Sequence, residues 1–442
     1  MTVKDLKPGD LVRIIKDGQV IEGILMPSTE LSSKDGVVIV KLANGYNVGI
    51  SIIGAHIEVI KENYARVEVP EGGGITTYVE GQGGKLISIV STGGTIVSKV
   101  EYETGAVRPA LTADDLIDFV PEIREMGSIE VVDLYRLLSE NMTPDHWTSI
   151  AKAVWGKLVG GSDGVIVTHG TDTLSYTSSA LAFALRNLPM PVVLVGSQRS
   201  SDRPSSDSAL NLLASAIIAL NAPFGEVVVA MHGSISDTYI LACRGVKVRK
   251  MHSSRRDAFQ PVNDIPLAKV VFPDRKLVMI SSKYLSRCRR EDLILMPNFE
   301  RKVAIVKAYP GLDPEIIDFL VDRGFKGIVL EGTGLGHVNE ACIPSVRRAV
   351  EEGVVVVMAT QTIFGRVNMN VYTTGRKLLM AGVLPASDML AETAYVKLSW
   401  LLANFNDLSE VKKLFVKNIV YEINEVHEDY IYPRWYHGDR LQ

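Results

Sequence analysis

Cysteine is scarce in this chain, with three among 442 residues. Cys243, Cys288 and Cys342 stand far apart and are odd in number, so neither a disulfide framework nor CxxC zinc spacing is present. A reducing compartment follows. Long apolar runs are absent as well: the stretch at 353–359 is far too short for a bilayer, and Lys4 and Lys7 lead into no apolar signal core. These absences predict a cytoplasmic protein with no membrane contact. Excess positive charge is missing too. Forty-seven Lys and Arg stand against 51 Asp and Glu, a net charge of −4, which argues against a surface built throughout to grip nucleic acid. A nucleic acid partner must be met locally or through another protein of a complex.

What is present is length and apolar material: 46% of residues are hydrophobic, enough for two or three cored domains. Short alternating segments at 10–15, 20–26, 37–42, 46–50 and 57–60, with turns at Lys16-Asp17-Gly18 and Ala43-Asn44-Gly45, predict a small β-barrel over residues 1–70. Six glycines between Pro70 and Gly84 predict a linker over 71–84. Beyond it, continuous apolar runs at 85–90, 164–168, 191–196, 226–231, 326–330 and 354–358 alternate with helical stretches, one of them at 175–188. That rhythm predicts an α/β architecture whose sheet is mainly parallel and covered on both faces. Its chemistry belongs at the carboxyl ends of the strands. A charged break at 288–302 divides a larger domain, 85–290, from a smaller α/β domain, 303–442.

Two strand ends carry hydroxyls on turns with little bulk: Ser91-Thr92-Gly93-Gly94-Thr95 and His169-Gly170-Thr171-Asp172-Thr173. Glycine lets the backbone approach a ligand and offers N–H groups to a developing oxyanion. Either loop alone could be an ordinary capped strand-to-helix turn; two in one sheet, with Asp172 able to orient a partner, favour a site.

These two segments resemble the signature loops of the asparaginase and glutaminase amidohydrolases, and the resemblance covers residues 85–402. It implies an asparaginase-like two-domain fold and a threonine nucleophile that attacks the side-chain amide of glutamine or asparagine. Thr95 is favoured over Thr171 by the resemblance alone. Tyr102 is one candidate for handling its proton; the cluster of Thr171, Asp172 and Lys250 is the other. The segment 244–259 resembles the one that supplies the family's lysine, and counting within it favours Lys250 while leaving Lys247 open. By the same resemblance Gly94 and Gly170 line the substrate site, and Ser139 and Glu140 match the family's substrate-binding segment. Many asparaginases carry glutamine at the position of Glu140. Ser139 also reads as a cap for the helix starting near Pro144. A stretch with Arg199, Pro204, Ser208 and Asn211 is similar to a further family segment.

With the leading barrel and the run from Gly93 to Pro109, the chain is similar to the ammonia-producing components of archaeal glutamyl-tRNA(Gln) amidotransferases. That narrower resemblance implies a homodimer within a larger complex. It also implies a partner, the E-type amidotransferase subunit of those enzymes, that binds most of the tRNA and uses ATP and Mg. No metal is expected in this chain, since His169 has no other His or Cys at ligand spacing. Gly332-Thr333-Gly334-Leu335-Gly336 departs from the GxGxxG spacing of a dinucleotide loop. Aromatic residues at the chain end (Tyr430, Tyr432, Trp435, Tyr436) suggest a tail tied down on its own domain or on a neighbouring protein.

Overall fold

The structure is a computed structural model, and it describes residues 7–27, 36–44, 46–62, 75–94, 98–100, 107–109, 120–201, 203–428 and 431–432. Five strands open the chain: β1 (Leu11–Lys16), β2 (Gln19–Leu25), β3 (Val37–Lys41), β4 (Asn47–Ser51) and β5 (His56–Lys61). They form one antiparallel sheet in the order β4-β3-β2-β1-β5. Asp17 and Gly18, both at positive φ, turn β1 into β2 with Lys16 paired to Gln19, the twist-matched two-residue hairpin that an Asp-Gly step favours. Alternate residues Val12, Ile14, Leu25, Val40 and Ile50 make a core of their own. The small β domain is therefore present; its edge strands β4 and β5 show no mutual pairing among the described residues.

The expected linker holds a strand, β6 (Ile75–Val79), which pairs antiparallel with β10 (Ser128–Leu137) at the edge of a nine-stranded sheet. Its Ile-Thr-Thr-Tyr-Val sequence is strand-forming, and the glycines on either side masked that signal. The remaining strands of this sheet are β7 (Leu86–Gly93), β11 (Gly164–Thr168), β13 (Val192–Val195), β14 (Val227–His232), β15 (Tyr239–Arg244), β18 (Ala268–Val271) and β19 (Lys276–Met279). Short ribbons stand apart: β8 (Ser98–Val100) with β9 (Val107–Pro109), β12 (Leu185–Arg186) with β20 (Ile294–Leu295), and β16 (Val248–Lys250) with β17 (Phe259–Pro261).

Only the middle of the sheet is parallel. Strands β10, β7, β11, β13 and β14 run together, whereas β15, β18, β19 and β6 are antiparallel additions. The expectation of a mainly parallel sheet is corrected at these flanks. The connections from β14 to β15 and from β18 to β19 span only residues 233–238 and 272–275, too few for the crossover that parallel pairing requires.

Helices α1 (Pro144–Val159) and α2 (Leu174–Ala184) pack on one face of the sheet and α3 (Ser208–Asn221) on the other. Along β11, Val165 and Val167 enter the first core and Ile166 the second, as period-2 alternation in a doubly covered strand requires. The helix expected over 175–188 ends at Ala184, because Leu185 and Arg186 pair with β20 instead. The smaller domain begins with β21 (Val303–Lys307) and continues through α4 (Glu315–Asp322), β22 (Gly327–Gly332), α5 (Ile343–Glu351), β23 (Val355–Thr360), α6 (Thr373–Met380), β24 (Leu384–Pro385), α7 (Ala391–Asn404) and α8 (Leu408–Phe415). Its sheet is wholly parallel, β21-β22-β23-β24. Trp400 of α7 stacks on Phe183 of α2 at 5.7 Å between centroids, so the two domains share one apolar core.

Candidate active site

In space the parallel strands run β10-β7-β11-β13-β14. The chain leaves β7 to one side for β10, then crosses back to β11 on the other, so its winding reverses between β7 and β11. Open α/β sheets place their ligand sites at such a reversal, beyond the carboxyl ends of the strands. The two hydroxyl-bearing loops singled out in the sequence are the ones that follow β7 and β11.

Close backbone approach explains their glycines. Gly94 has φ +91°, and a Cβ on it would lie 2.5 Å from the Gly170 nitrogen. A Cβ on Gly170 would in turn lie 2.7 Å from Ser139 Cβ. Three loops, after β7, β11 and β10, therefore interlock through positions that admit no side chain on two of them. Thr92 Oγ1 donates to the Thr168 carbonyl at 2.8 Å, and Thr173 Oγ1 donates to the Ser139 carbonyl at 2.7 Å. Ser139 is buried in a short turn and Glu140 beside it is exposed. The helix cap expected of Ser139 is made by Thr143, in a reciprocal pair with His146.

Lys250 meets the second of these loops. From β16 its Nζ donates to Thr171 Oγ1 at 2.9 Å and to Asp172 Oδ1 at 2.7 Å. The Lys250 side chain is 15% exposed and that of Asp172 67%, so the carboxylate faces the solvent side and is available to a charged ligand as well as to the lysine. Lys247 lies elsewhere: its side chain is fully buried and donates to Asp388 Oδ2 at 2.7 Å. Of the two lysines, Lys250 alone reaches the threonine loop. Thr95 and Tyr102, the other two expected catalytic residues, lie outside the described residues, as do Tyr430, Trp435 and Tyr436 of the tail. Tyr432 meets Phe364 edge to face at 5.6 Å.

Behind the loop a buried chain of donors fixes its geometry. Trp147 Nε1 donates to Thr177 Oγ1 at 3.1 Å, Thr177 lies 2.8 Å from His169 Nε2, and His169 Nδ1 lies 2.7 Å from the Gly170 carbonyl. A carbonyl can only accept, so Nδ1 carries the hydrogen and Nε2 accepts from the threonine. Burial drives the His169 pKa down to about 4, which keeps the ring neutral. His169 thus anchors the Gly170 peptide. Among the described residues no group of three or more His, Cys, Asp or Glu side chains is gathered in a way that could hold a metal ion.

Sequence reasoning passed over three residues here. Gly196, after β13, lets Thr171 pack against it: a Cβ there would sit 2.9 Å from Thr171 Cγ2. Asp207, fully buried, accepts from Ser197 Oγ at 2.8 Å, the Gln198 and Arg199 amides at 3.0 and 2.9 Å, and Asn211 Nδ2 at 3.0 Å. His232 meets Asn211 Oδ1 at 2.7 Å, and Asn211 also holds the Gly196 carbonyl at 3.1 Å. A signal existed for Asp207, since an acidic residue directly before a helical run is a start signature; Gly196 and His232 carried none. Of the similar stretch, Ser208 and Asn211 belong to this network, while Arg199 is exposed. The Gly332–Gly336 segment makes a tight turn bridging Thr333 to His337.

The arrangement can bind a small polar molecule against three interlocked loops, two of them glycine-bearing, and move a proton between a threonine hydroxyl and a lysine held by a carboxylate. Comparison with known proteins gives the family. Residues 86–283 match the family model "Asparaginase, N-terminal", residues 302–415 match "Glutaminase/Asparaginase C-terminal domain" and residues 6–60 match "GatD N-terminal domain". The D-type subunit of the glutamyl-tRNA(Gln) amidotransferase of Sulfolobus acidocaldarius is 50% identical over 439 residues, covering 99% of this chain and 96% of that protein. That of Metallosphaera sedula is 53% identical over 430 residues, 97% of this chain and 95% of that protein. The thermostable L-asparaginase from Thermococcus kodakarensis superposes with TM-score 0.69 at 35% identity, over 77% of this chain and all of that one. L-asparaginase I from Vibrio cholerae superposes with TM-score 0.67 at 28% identity, again over 77% and 100%. The chain is an amidohydrolase of the asparaginase and glutaminase family, and within it belongs with the D-type subunits of the glutamyl-tRNA(Gln) amidotransferases.

Proposed function

We propose that the chain hydrolyses the side-chain amide of glutamine, with asparagine as the alternative donor, and supplies the ammonia for converting Glu-tRNA(Gln) to Gln-tRNA(Gln) on a partner protein. The observation that carries the chemistry is Lys250 bonded at once to Thr171 and Asp172; the full-length similarity to amidotransferase D-type subunits carries the context. The L-asparaginases account for 77% of the chain and leave the leading β domain unexplained, which favours the amidotransferase reading over a free-standing hydrolase.

The chemistry runs in two balanced halves. A threonine oxygen bonds to the amide carbon while its proton passes into the Thr171–Lys250–Asp172 relay. Main-chain N–H groups of the glycine loops hold the oxyanion, each typically contributing about a hundredfold or more in rate. The carbon–nitrogen bond then breaks and the nitrogen leaves as ammonia, taking a proton back from the relay. Water next attacks the ester, giving glutamate and the free threonine. Thr95 is the favoured nucleophile, with Tyr102 as a second proton route; Thr171 is the alternative nucleophile. Asp172, with Ser139 and Glu140, would recognise the α-amino and carboxylate groups of the substrate.

The net charge of −4 suits a division of labour in which the partner, an E-type amidotransferase subunit, holds most of the tRNA and consumes ATP with Mg. A homodimer is the proposed assembly of this chain within the complex, and the three free cysteines support a cytoplasmic setting. No helix among the described residues is long and apolar enough to cross a membrane. The test is ammonia release from glutamine and from asparagine, by the chain alone and with its partner and glutamyl-tRNA. A Thr95→Ala chain should lose glutamine-dependent amidation yet support amidation from free ammonia. Amidation from glutamine by that variant would overturn the proposal.

A further inference from the structure

The strand that presents Lys250 is not part of the large sheet. β16 has three residues and among the described residues pairs only with β17, Val248 opposite Pro261 and Lys250 opposite Phe259, so neighbouring strands alone hold it weakly. Alternation along an extended chain puts residues 247 and 249 on the face away from 248 and 250. Both of those outer residues are cations, and both reach into the smaller domain. Lys247 meets Asp388 at 2.7 Å and Arg249 meets Glu392 at 3.2 Å.

Asp388 and Glu392 flank the start of α7, four residues apart. The Lys247 pair is wholly buried, and Asp388 is held further by the Asn424 amide at 3.0 Å and Asn424 Nδ2 at 2.8 Å. Glu392 is the odd member. It is 9% exposed, and its second oxygen is buried without a hydrogen-bond partner, an arrangement that costs stability and that packing alone does not favour. Glu392 pairs with Arg249, and Tyr395 on the same helix meets Tyr176 edge to face at 6.1 Å. Tyr176 belongs to α2, which leads directly out of the Thr171–Thr173 turn. The first turn of α7 therefore touches both the strand that carries Lys250 and the helix that leads out of the turn carrying Thr171 and Asp172.

We propose that Arg249 and Glu392 are positioning residues for Lys250: their ion pair, hinged on the buried Lys247–Asp388 pair, sets the strand so that Nζ reaches Thr171 and Asp172, and it makes the site depend on how α7 of the smaller domain is seated. This rests on the reading of Lys250 as the proton carrier. An error of about 1 Å in placing a reacting group can cost on the order of a hundredfold in rate, and a group that acts only in the transition state lowers kcat while sparing KM.

The test uses the full-length chain under the condition in which the unaltered chain releases ammonia fastest, with partner and tRNA if these are needed. Arg249→Gln and Glu392→Gln should each lower kcat by about ten- to a hundredfold with KM within about twofold, and Arg249→Lys should recover most of the loss by restoring the cation. Arg249 is a third exposed, so its variants test the idea even if Glu392→Gln does not fold. Lys250→Met runs in parallel. If it abolishes turnover while Arg249→Gln and Glu392→Gln keep full kcat, or lose activity only in step with melting temperature, the positioning role is wrong. If Lys250→Met keeps full turnover, the reading of Lys250 falls and this inference falls with it.

Discussion

Replacing Lys250 by methionine keeps the length of the side chain and removes its charge and donors. In the structure this breaks two bonds, to Thr171 Oγ1 at 2.9 Å and to Asp172 Oδ1 at 2.7 Å. Because Asp172 is two-thirds exposed, water takes over its solvation and the lost pair costs folding under about 1 kcal/mol. The catalytic cost is of a different size. A positioned acid–base group supplies about a hundred- to ten-thousandfold, or roughly 3–5 kcal/mol of barrier at about 1.4 kcal/mol per tenfold. Lys247→Met should behave in the opposite sense, since it strands Asp388 as a buried charge and costs about 3–5 kcal/mol of stability. Ammonia release and urea unfolding, measured on both variants, separate the two lysines. A Lys250→Met chain that keeps turnover within tenfold, or that loses as much stability as Lys247→Met, would refute the assignment.

Three other outcomes are expected. His169 is held near pKa 4 in the folded chain against about 6.5 unfolded, so unfolding takes up a proton; its contribution is complete above about pH 6.5 and is lost as pH falls towards 4, roughly 3 kcal/mol in all. Urea unfolding across that range should show a fall in stability that His169→Gln lessens. Gly94→Ala places a methyl 2.5 Å from the Gly170 nitrogen at φ +91° and should lower turnover by about a hundredfold or more, read as ammonia release. Burial raises the thiol pKa of Cys243 and Cys342, whereas Cys288 is exposed; a thiol reagent should modify one cysteine in the native chain and three in urea.

Strands β7, β11, β13, β14, β22 and β23 were legible because strands covered on both faces need unbroken apolar sequence, and their ends then located the two threonine loops. Counting favoured Lys250 and left Lys247 open. Both sit in the same segment, and only the surroundings of each, the exposed Asp172 against the buried Asp388, distinguish them. Strand β6 was hidden by the glycines around it, and the antiparallel flank β15, β18 and β19 by connections too short to look like a fold element. Asp207 and His232 act through loops brought together by tertiary packing; Asp207 carried only a helix-start signature, and no local pattern marks His232.

The antiparallel seat of β6 also decides where this molecule can be cut. Had 71–84 been a free tether, the leading domain could be trimmed anywhere within it. With Ile75 to Val79 paired to β10, a truncation beginning at residue 85 bares the unsatisfied amides and carbonyls of that ten-residue strand, which invite strangers to pair, whereas one beginning ahead of Ile75 keeps β10 covered.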